Sequence, residues 1–188
     1  VCSSDLLHPP ILSEGAASLL ADGVPRPAMV WELFLDGEGE LRDVGLVRAL
    51  VRSRAKLSYQ GVQRDLDAGK LHPSVTLLPE VGELRLRREI ERGGASLNLP
   101  DQEIVADDGA WDLAFRQLTR VEEYNAQISL LTGMAAARVM LDAKVGILRT
   151  LPPAGDDEVG SLRRRVNALG VEWPRSVSYP DFVRSLSP

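Results

Sequence analysis

Arg48-Ala-Leu-Val-Arg-Ser-Arg-Ala-Lys-Leu-Ser-Tyr59 is a basic ribbon that ends in an aromatic residue. Read as an extended strand, its side chains alternate between two faces. Val47, Ala49 and Val51 then fall on one face, and Arg48, Arg52, Arg54 and Lys56 on the other. No acidic residue lies between Val44 and Arg64. Successive cations on one face of a strand stand roughly 6.5–7 Å apart, close to the phosphate spacing of an extended nucleic-acid strand. The same residues also fit a solvated edge strand whose charges deter aggregation. The surrounding chain is acidic, with a net charge of −5. An acidic protein that keeps such a run free of acids points to a polyanion held along the ribbon.

Outward from the ribbon, local signals mark the neighbouring elements. Ser58 can cap a helix through Ala68 with Val62 and Leu66 on one face. On the other side, Ala28 to Asp36 and the chain from Leu41 flank Gly37-Glu38-Gly39, which predicts a hairpin. The Asp36 to Glu40 loop resembles a calcium loop but lacks the remaining ligands at the required spacing, so it is read as a turn. Pro79 opens a second helix through Arg92, stopped by Gly93-Gly94. Gln102 to Ala106 and Trp111 to Phe115 flank Asp107-Asp108-Gly109, a second hairpin. Thr119 with Glu122 forms a capping box for the longest helix, whose buried stripe is Val121, Tyr124, Ile128, Leu131 and Ala135. Pro152-Pro153 breaks the chain before a helix from Asp156 to Leu169, ended by Gly170. Trp173 to Pro188 reads as a short tail, and Leu7 to Pro27 as irregular chain with one turn at Glu14 to Leu19. The expected class is α+β, with antiparallel hairpins and a long helix.

Composition narrows the function classes. Hydrophobic residues at 44% and charged residues at 26% are ordinary globular values. No run approaches the length that crosses a bilayer. Val1-Cys2-Ser3-Ser4-Asp5-Leu6 is the frame translation of GTG TGC TCT TCC GAT CTN, the end of a common sequencing-library adapter. Residues 1–6 are therefore read as an adapter-derived scar and set aside. Residues 7–188 are read as an internal fragment of a longer open frame. Cys2 is the single cysteine, so the body has no thiol for disulfide, zinc or nucleophilic chemistry. That fits a cytoplasmic protein. His8 and His72 have no ligand at metal spacing, and no metal site is assigned. No Walker-type loop, Gly-x-Gly-x-x-Gly or Gly-x-Ser-x-Gly motif occurs. Glu122-Glu123 and Asp107-Asp108 point to different sides of their elements and make poor carboxylate pairs.

From Pro10 to about Leu151 the chain resembles the catalytic RNB domain of the ribonuclease II / ribonuclease R family, with the matching pieces in family order. Leu12-Ser13-Glu14 followed by Ser18-Leu19 is similar to its L-S-x-x-x-x-S-L segment. Arg26-Pro27-Ala28 leads into a hairpin as it does there, and Asp36-Gly37-Glu38-Gly39 resembles its turn. Ser53-Arg54-Ala55-Lys56-Leu57-Ser58-Tyr59 followed by Val62 is the most specific match. Arg92-Gly93-Gly94-Ala95 resembles the arginine-glycine pair before the next strand. Ala135-Ala136-Ala137-Arg138 resembles the end of the active-site helix.

The resemblance implies a partial RNB domain, truncated at both ends, from a monomeric 3′→5′ exoribonuclease. Such an enzyme releases nucleoside monophosphates from single-stranded RNA, with magnesium held by aspartates that lie outside this chain. The chain by itself is expected to be inactive. Tyr59 takes the place of the tyrosine beside the terminal nucleotides, and a phenol there can stack on a base or reach a 2′-hydroxyl. A core tyrosine between hairpin and helix is the alternative. The ribose-contacting role of the family's Glu-Glu pair is assigned to Glu122, although Glu122-Glu123 stands four residues further from the Ala-Ala-Arg end than in the family. An ungapped match places Ala126 and Gln127 there. Four residues are about one turn, and Asn125 and Gln127 are polar alternatives. A stacking aromatic of the family corresponds to Leu99. Arg48, Arg52, Arg54, Lys56, Tyr59, Asn125 and Gln127 are the expected RNA contacts. A non-catalytic RNA-binding relative, or a helical interaction module with no nucleic-acid role, remain as competing classes.

Overall fold

The computed structural model describes residues 18–20, 22–97, 100–107, 110–150 and 152–186. Cys2, His8, the adapter-like terminus, most of the Glu14 to Leu19 turn, Leu99 and the Asp108-Gly109 hairpin tip lie outside the described residues.

Asp36 turns the first hairpin. Its Oδ1 accepts the amides of Glu38 and Glu40 at 3.0 and 2.9 Å. Gly39 takes a φ of 75° there, a conformation that costs glycine little. The turn joins β1 (Arg26–Leu35) to β2 (Leu41–Val51) in an antiparallel ladder from Arg26↔Val51 to Phe34↔Asp43. The residue pattern predicts a strand that continues as far as Tyr59. The ribbon instead leaves the ladder at Arg52, because its partner strand begins at Arg26 and offers nothing further to pair with. The alternation of half-buried and exposed residues nevertheless persists from Ala49 through Arg54. Leu50, 74% exposed, shares the cationic face with Arg48.

Ser58 caps α1 (Tyr59–Asp67), its Oγ accepting the Gly61 amide at 3.2 Å. A short 3-10 turn at Pro73–Val75 precedes α2 (Leu78–Glu91), which carries Pro79 in its first turn and is followed by Gly93 at φ 71°. The second hairpin pairs β3 (Asp101–Asp107) with β4 (Ala110–Arg116). Thr119 and Glu122 form the expected capping box at the start of α3 (Arg120–Ala143), a helix of 24 residues ended by Lys144 at φ 54°. Two antiparallel hairpins and this long helix give the α+β class. Helix α4 (Asp156–Ala168) follows. Among the described residues no helix is long and apolar enough to cross a membrane.

The stretch read as a tail instead contains α5 (Tyr179–Ser185), capped by Ser178. Trp173 stacks on Phe182 with centroids 4.2 Å apart, and the Arg163 guanidinium lies 4.1 Å above the Trp173 ring. Arg184 on α5 donates to the Gly94 carbonyl at 2.5 Å, tying the C-terminal residues to the loop after α2. Seven residues give too short a periodicity to stand out in the sequence, although Ser178 and Asp181 carry a capping signal.

The core centres on α2 against α3. Val121, Tyr124, Leu131 and Ala135 are buried as expected, but Gln127 occupies the position read for Ile128, which is only half-buried. A polar residue lies in the stripe because Glu89 of α2 accepts its Nε2 hydrogen bond. Gly82 lets the two helices meet: a Cβ there would stand 2.7 Å from Tyr124 Cβ and nearer still to the ring. Arg85, buried beside Met134 of α3, donates to the Gly39 carbonyl at 2.8 Å, and Arg88 donates to that of Glu38 at 3.1 Å. The turn of the first hairpin is thereby held on α2.

Helix propensity alone favours Gly82→Ala by about 1 kcal/mol, whereas a clash this close to the Tyr124 ring lies at the upper end of overpacking costs, about 2–3 kcal/mol. The expected outcome is a net loss of about 1–2 kcal/mol of unfolding free energy in a denaturant titration. A neutral or stabilised variant would show that the close approach of α2 and α3 is not required.

Candidate functional site

Tyr59 is the first residue of α1, and Asn125 lies in the second turn of α3. The two meet: Asn125 Nδ2 donates to the Tyr59 hydroxyl oxygen at 2.9 Å. That bond occupies one acceptor site of the phenol and leaves its own hydrogen to be donated elsewhere. Tyr59 is 43% exposed. Gln63 fixes α1 against α3, its Oε1 accepting the Val121 amide at 3.1 Å, one of the amides that a helix N-terminus leaves without an intrahelical partner.

A cleft of about 450 Å³ opens beside this pair, walled by Leu57, Tyr59, Val62, Leu78, Val121 and Asn125. Apolar walls with one polar pair suit a flat ring that also needs orienting. The ribbon runs into it, since Leu57 and Ser58 line the cleft. Arg48, Arg52, Arg54 and Lys56 are all exposed, and none joins an ion pair among the described residues. Arg26, Arg42, Arg88, Arg116, Arg120 and Arg184 each face a carboxylate. Other exposed cations, such as Arg64, Arg87, Arg92, Arg164 and Arg165, join no ion pair among the described residues either. What distinguishes the ribbon is that its cations succeed one another with no acid between Val44 and Arg64.

Two other expected contacts lie elsewhere. Gln127 is buried between α2 and α3, bonded to Glu89, which also accepts the Ser96 hydroxyl; the Gln127 Oε1 has no partner among the described residues. Glu122 is held by Thr119 N at 2.7 Å, Thr119 Oγ1 at 2.9 Å and Arg116 at 2.9 Å. The Arg116 guanidinium holds its carboxyl below the usual range. Both residues, with Ala126, line a second cleft of about 410 Å³ that Val183 and Arg184 of α5 complete. Arg120, which lines the second cleft with Glu123, bridges Glu83 and Glu123 at 2.5 and 2.6 Å. The Tyr124 hydroxyl donates to Glu83 at 2.7 Å, and that bond together with Arg120 keeps the Glu83 carboxyl below its ordinary range.

The sequence missed Gln63, Leu78 and the cleft itself, because each depends on how α1 packs on α3 rather than on a local pattern. Among the described residues no three His, Cys, Asp or Glu side chains converge as a metal site. His72 Nδ1 is taken up by Ser74. The described residues therefore offer no ligand set for a magnesium ion.

The RNB domain family matches this chain over residues 4–181, and the chain belongs to that family. Three solved structures of Mycoplasma genitalium RNase R share the fold. With ribose-methylated single-stranded RNA, it matches at a TM-score of 0.77 and 20% identity, over 92% of this chain and 29% of that one. The apo form gives 0.77 and 20%, over 94% and 29%. The complex with double-stranded RNA gives 0.78 and 20%, over 94% and 34%. The chain thus spans about a third of the length of these relatives. No curated protein matches it.

Glu122→Gln separates the cap of α3 from the ion pair, since glutamine can still complete a capping box. The variant is expected to lose about 0.2–1 kcal/mol at neutral pH. A carboxylate with a depressed pKa stabilises fully above its unfolded value, about 4.3, and loses that contribution as pH falls through the folded value. The difference between variant and parent should therefore shrink below that pH in denaturation curves. A pH-independent difference would mean that the Arg116 pair contributes nothing.

Proposed function

We propose that this chain is an internal piece of a 3′→5′ exoribonuclease that hydrolyses single-stranded RNA to nucleoside monophosphates. Magnesium and its ligands belong to parts of the protein outside these residues. The observation that carries the reading is the run of unpaired cations, Arg48 to Lys56, leading into the cleft at Tyr59 and Asn125. Membership of the RNB family supports it, as does the shared fold of an RNase R bound to single-stranded RNA.

In this reading the cations take successive phosphates, a base enters the apolar cleft, and the Tyr59 hydroxyl donates to a sugar or phosphate oxygen. Asn125 fixes the direction of that donation by filling the other side of the phenol oxygen. Glu122 reaches a ribose only by giving up Arg116 and the Thr119 cap. Gln127 reaches one only by leaving Glu89. A second reading is an RNA-binding relative without catalysis, which the ribbon and the Tyr59 cleft would serve equally well.

The test uses the full-length protein and a labelled single-stranded oligoribonucleotide. Arg52→Glu with Lys56→Glu should weaken binding at least about tenfold and flatten the log K against log salt slope by about 0.7 for each lost phosphate contact. Tyr59→Ala should change final product length, or the preference for RNA over DNA, with little change in melting temperature. Unchanged affinity in the charge-reversed variant would move the assignment to a helical interaction module. A Tyr59→Ala effect confined to melting temperature would make Tyr59 a core residue.

A further inference from the structure

The second hairpin has two unlike faces. Its register pairs Phe115 with Gln102, Leu113 with Ile104 and Trp111 with Ala106. Alternation therefore puts these six residues on one side, and Asp101, Glu103, Val105, Asp112, Ala114 and Arg116 on the other. The charged side is secured to the body: Arg116 bonds Asp101 at 2.8 Å, Glu103 at 2.9 Å and Glu122 of α3 at 2.9 Å. The apolar side is open. Trp111 is 77% exposed, Ile104 73%, Phe115 63% and Leu113 49%. A two-stranded hairpin is marginal in water unless one face is packed, and a contiguous aromatic and aliphatic face marks an interaction site.

Charge narrows the occupant. Arg116 is the hairpin's one basic residue and is already shared among three carboxylates. The open face itself carries no cation to hold a phosphate backbone, so Trp111 and Phe115 are poor platforms for RNA. Asp101, Glu103 and Asp112 on the opposite side, against the single Arg116, leave the hairpin net acidic, which disfavours a second copy of it. The face, apolar apart from Gln102, fits an apolar protein element. The solved relatives whose fold this chain shares are about three times as long as the part it matches.

We infer that the Gln102, Ile104, Ala106, Trp111, Leu113 and Phe115 face is a docking surface for the remainder of the same polypeptide. That element packs on the hairpin from outside residues 1–188. The inference rests on the proposal that the chain is an internal piece of a longer RNB protein. It does not depend on catalysis.

The experiment places the photo-crosslinking residue benzoylphenylalanine at Leu113 in the full-length protein and identifies the joined peptides by mass spectrometry. The expected product is an intramolecular cross-link, on monomeric protein, to an apolar peptide outside residues 1–188. A cross-link to a second copy, a cross-link to a peptide within residues 1–188, or none at all would overturn the inference. Ile104→Lys should lower the melting temperature of the full-length protein by several degrees more than Val105→Lys on the opposite face; equal effects would also overturn it. If the full-length protein fails to degrade RNA but keeps the cross-link, the proposed function falls and the docking surface stands. If it degrades RNA but gives no cross-link, the docking surface falls and the proposed function stands.

Discussion

Helices α2 and α3 approach at Gly82, where the Tyr124 ring occupies the space that any larger residue would need. The other elements hang from that contact. On one side α2 holds the first hairpin through Arg85 and Arg88, and the Gly39 turn lies so near Leu84 that a Cβ there would stand 2.7 Å from Leu84 Cβ. On the other side α3 receives α1 through Gln63 and Asn125, and the second hairpin through Glu122 and Arg116. Arg184 adds α5 to the loop after α2. The basic ribbon and the cleft at its end meet because the two elements that carry them are fixed to the same pair of helices.

Charge is distributed to match. Most buried or partly buried guanidinium groups find carboxylates or carbonyls: Arg116 and Arg120 bridge acids at the start of α3, and Arg163 spends its donors on the Trp173 and Pro174 carbonyls. Exposed cations elsewhere, such as Arg64, Arg87 and Arg164, join no ion pair among the described residues, but in the ribbon four of them follow one another along one stretch that contains no acid. Exposed cations held apart from acids cost little in stability and keep their field for a ligand. An acidic chain can therefore hold a polyanion along one track that is free of acids.

Much of this was legible in the sequence where the cause is local. Ser58, Thr119 with Glu122, Gly93 and Gly170 mark helix ends through their own backbone or side-chain bonds, and they stand where the residues predict. Asp36 folds its turn through bonds two and four residues away. Features that need a distant partner were not legible. The strand ends at Val51 because β1 begins at Arg26. Gln127 is buried because Glu89 faces it, 38 residues earlier. The ribbon and Tyr59 could be read as one unit because they are contiguous. The bond from Asn125 to Tyr59 spans 66 residues, so Asn125 could be named as a polar candidate but not as the partner of that phenol.

Incubation of the full-length protein with magnesium and a single-stranded RNA labelled at its 5′ end tests the account most directly. Progressive shortening from the 3′ end, with release of nucleoside monophosphates, is the predicted result. RNA that is bound in a salt-sensitive manner yet keeps its full length would contradict it, and would leave the ribbon and the Tyr59 cleft as a binding surface alone.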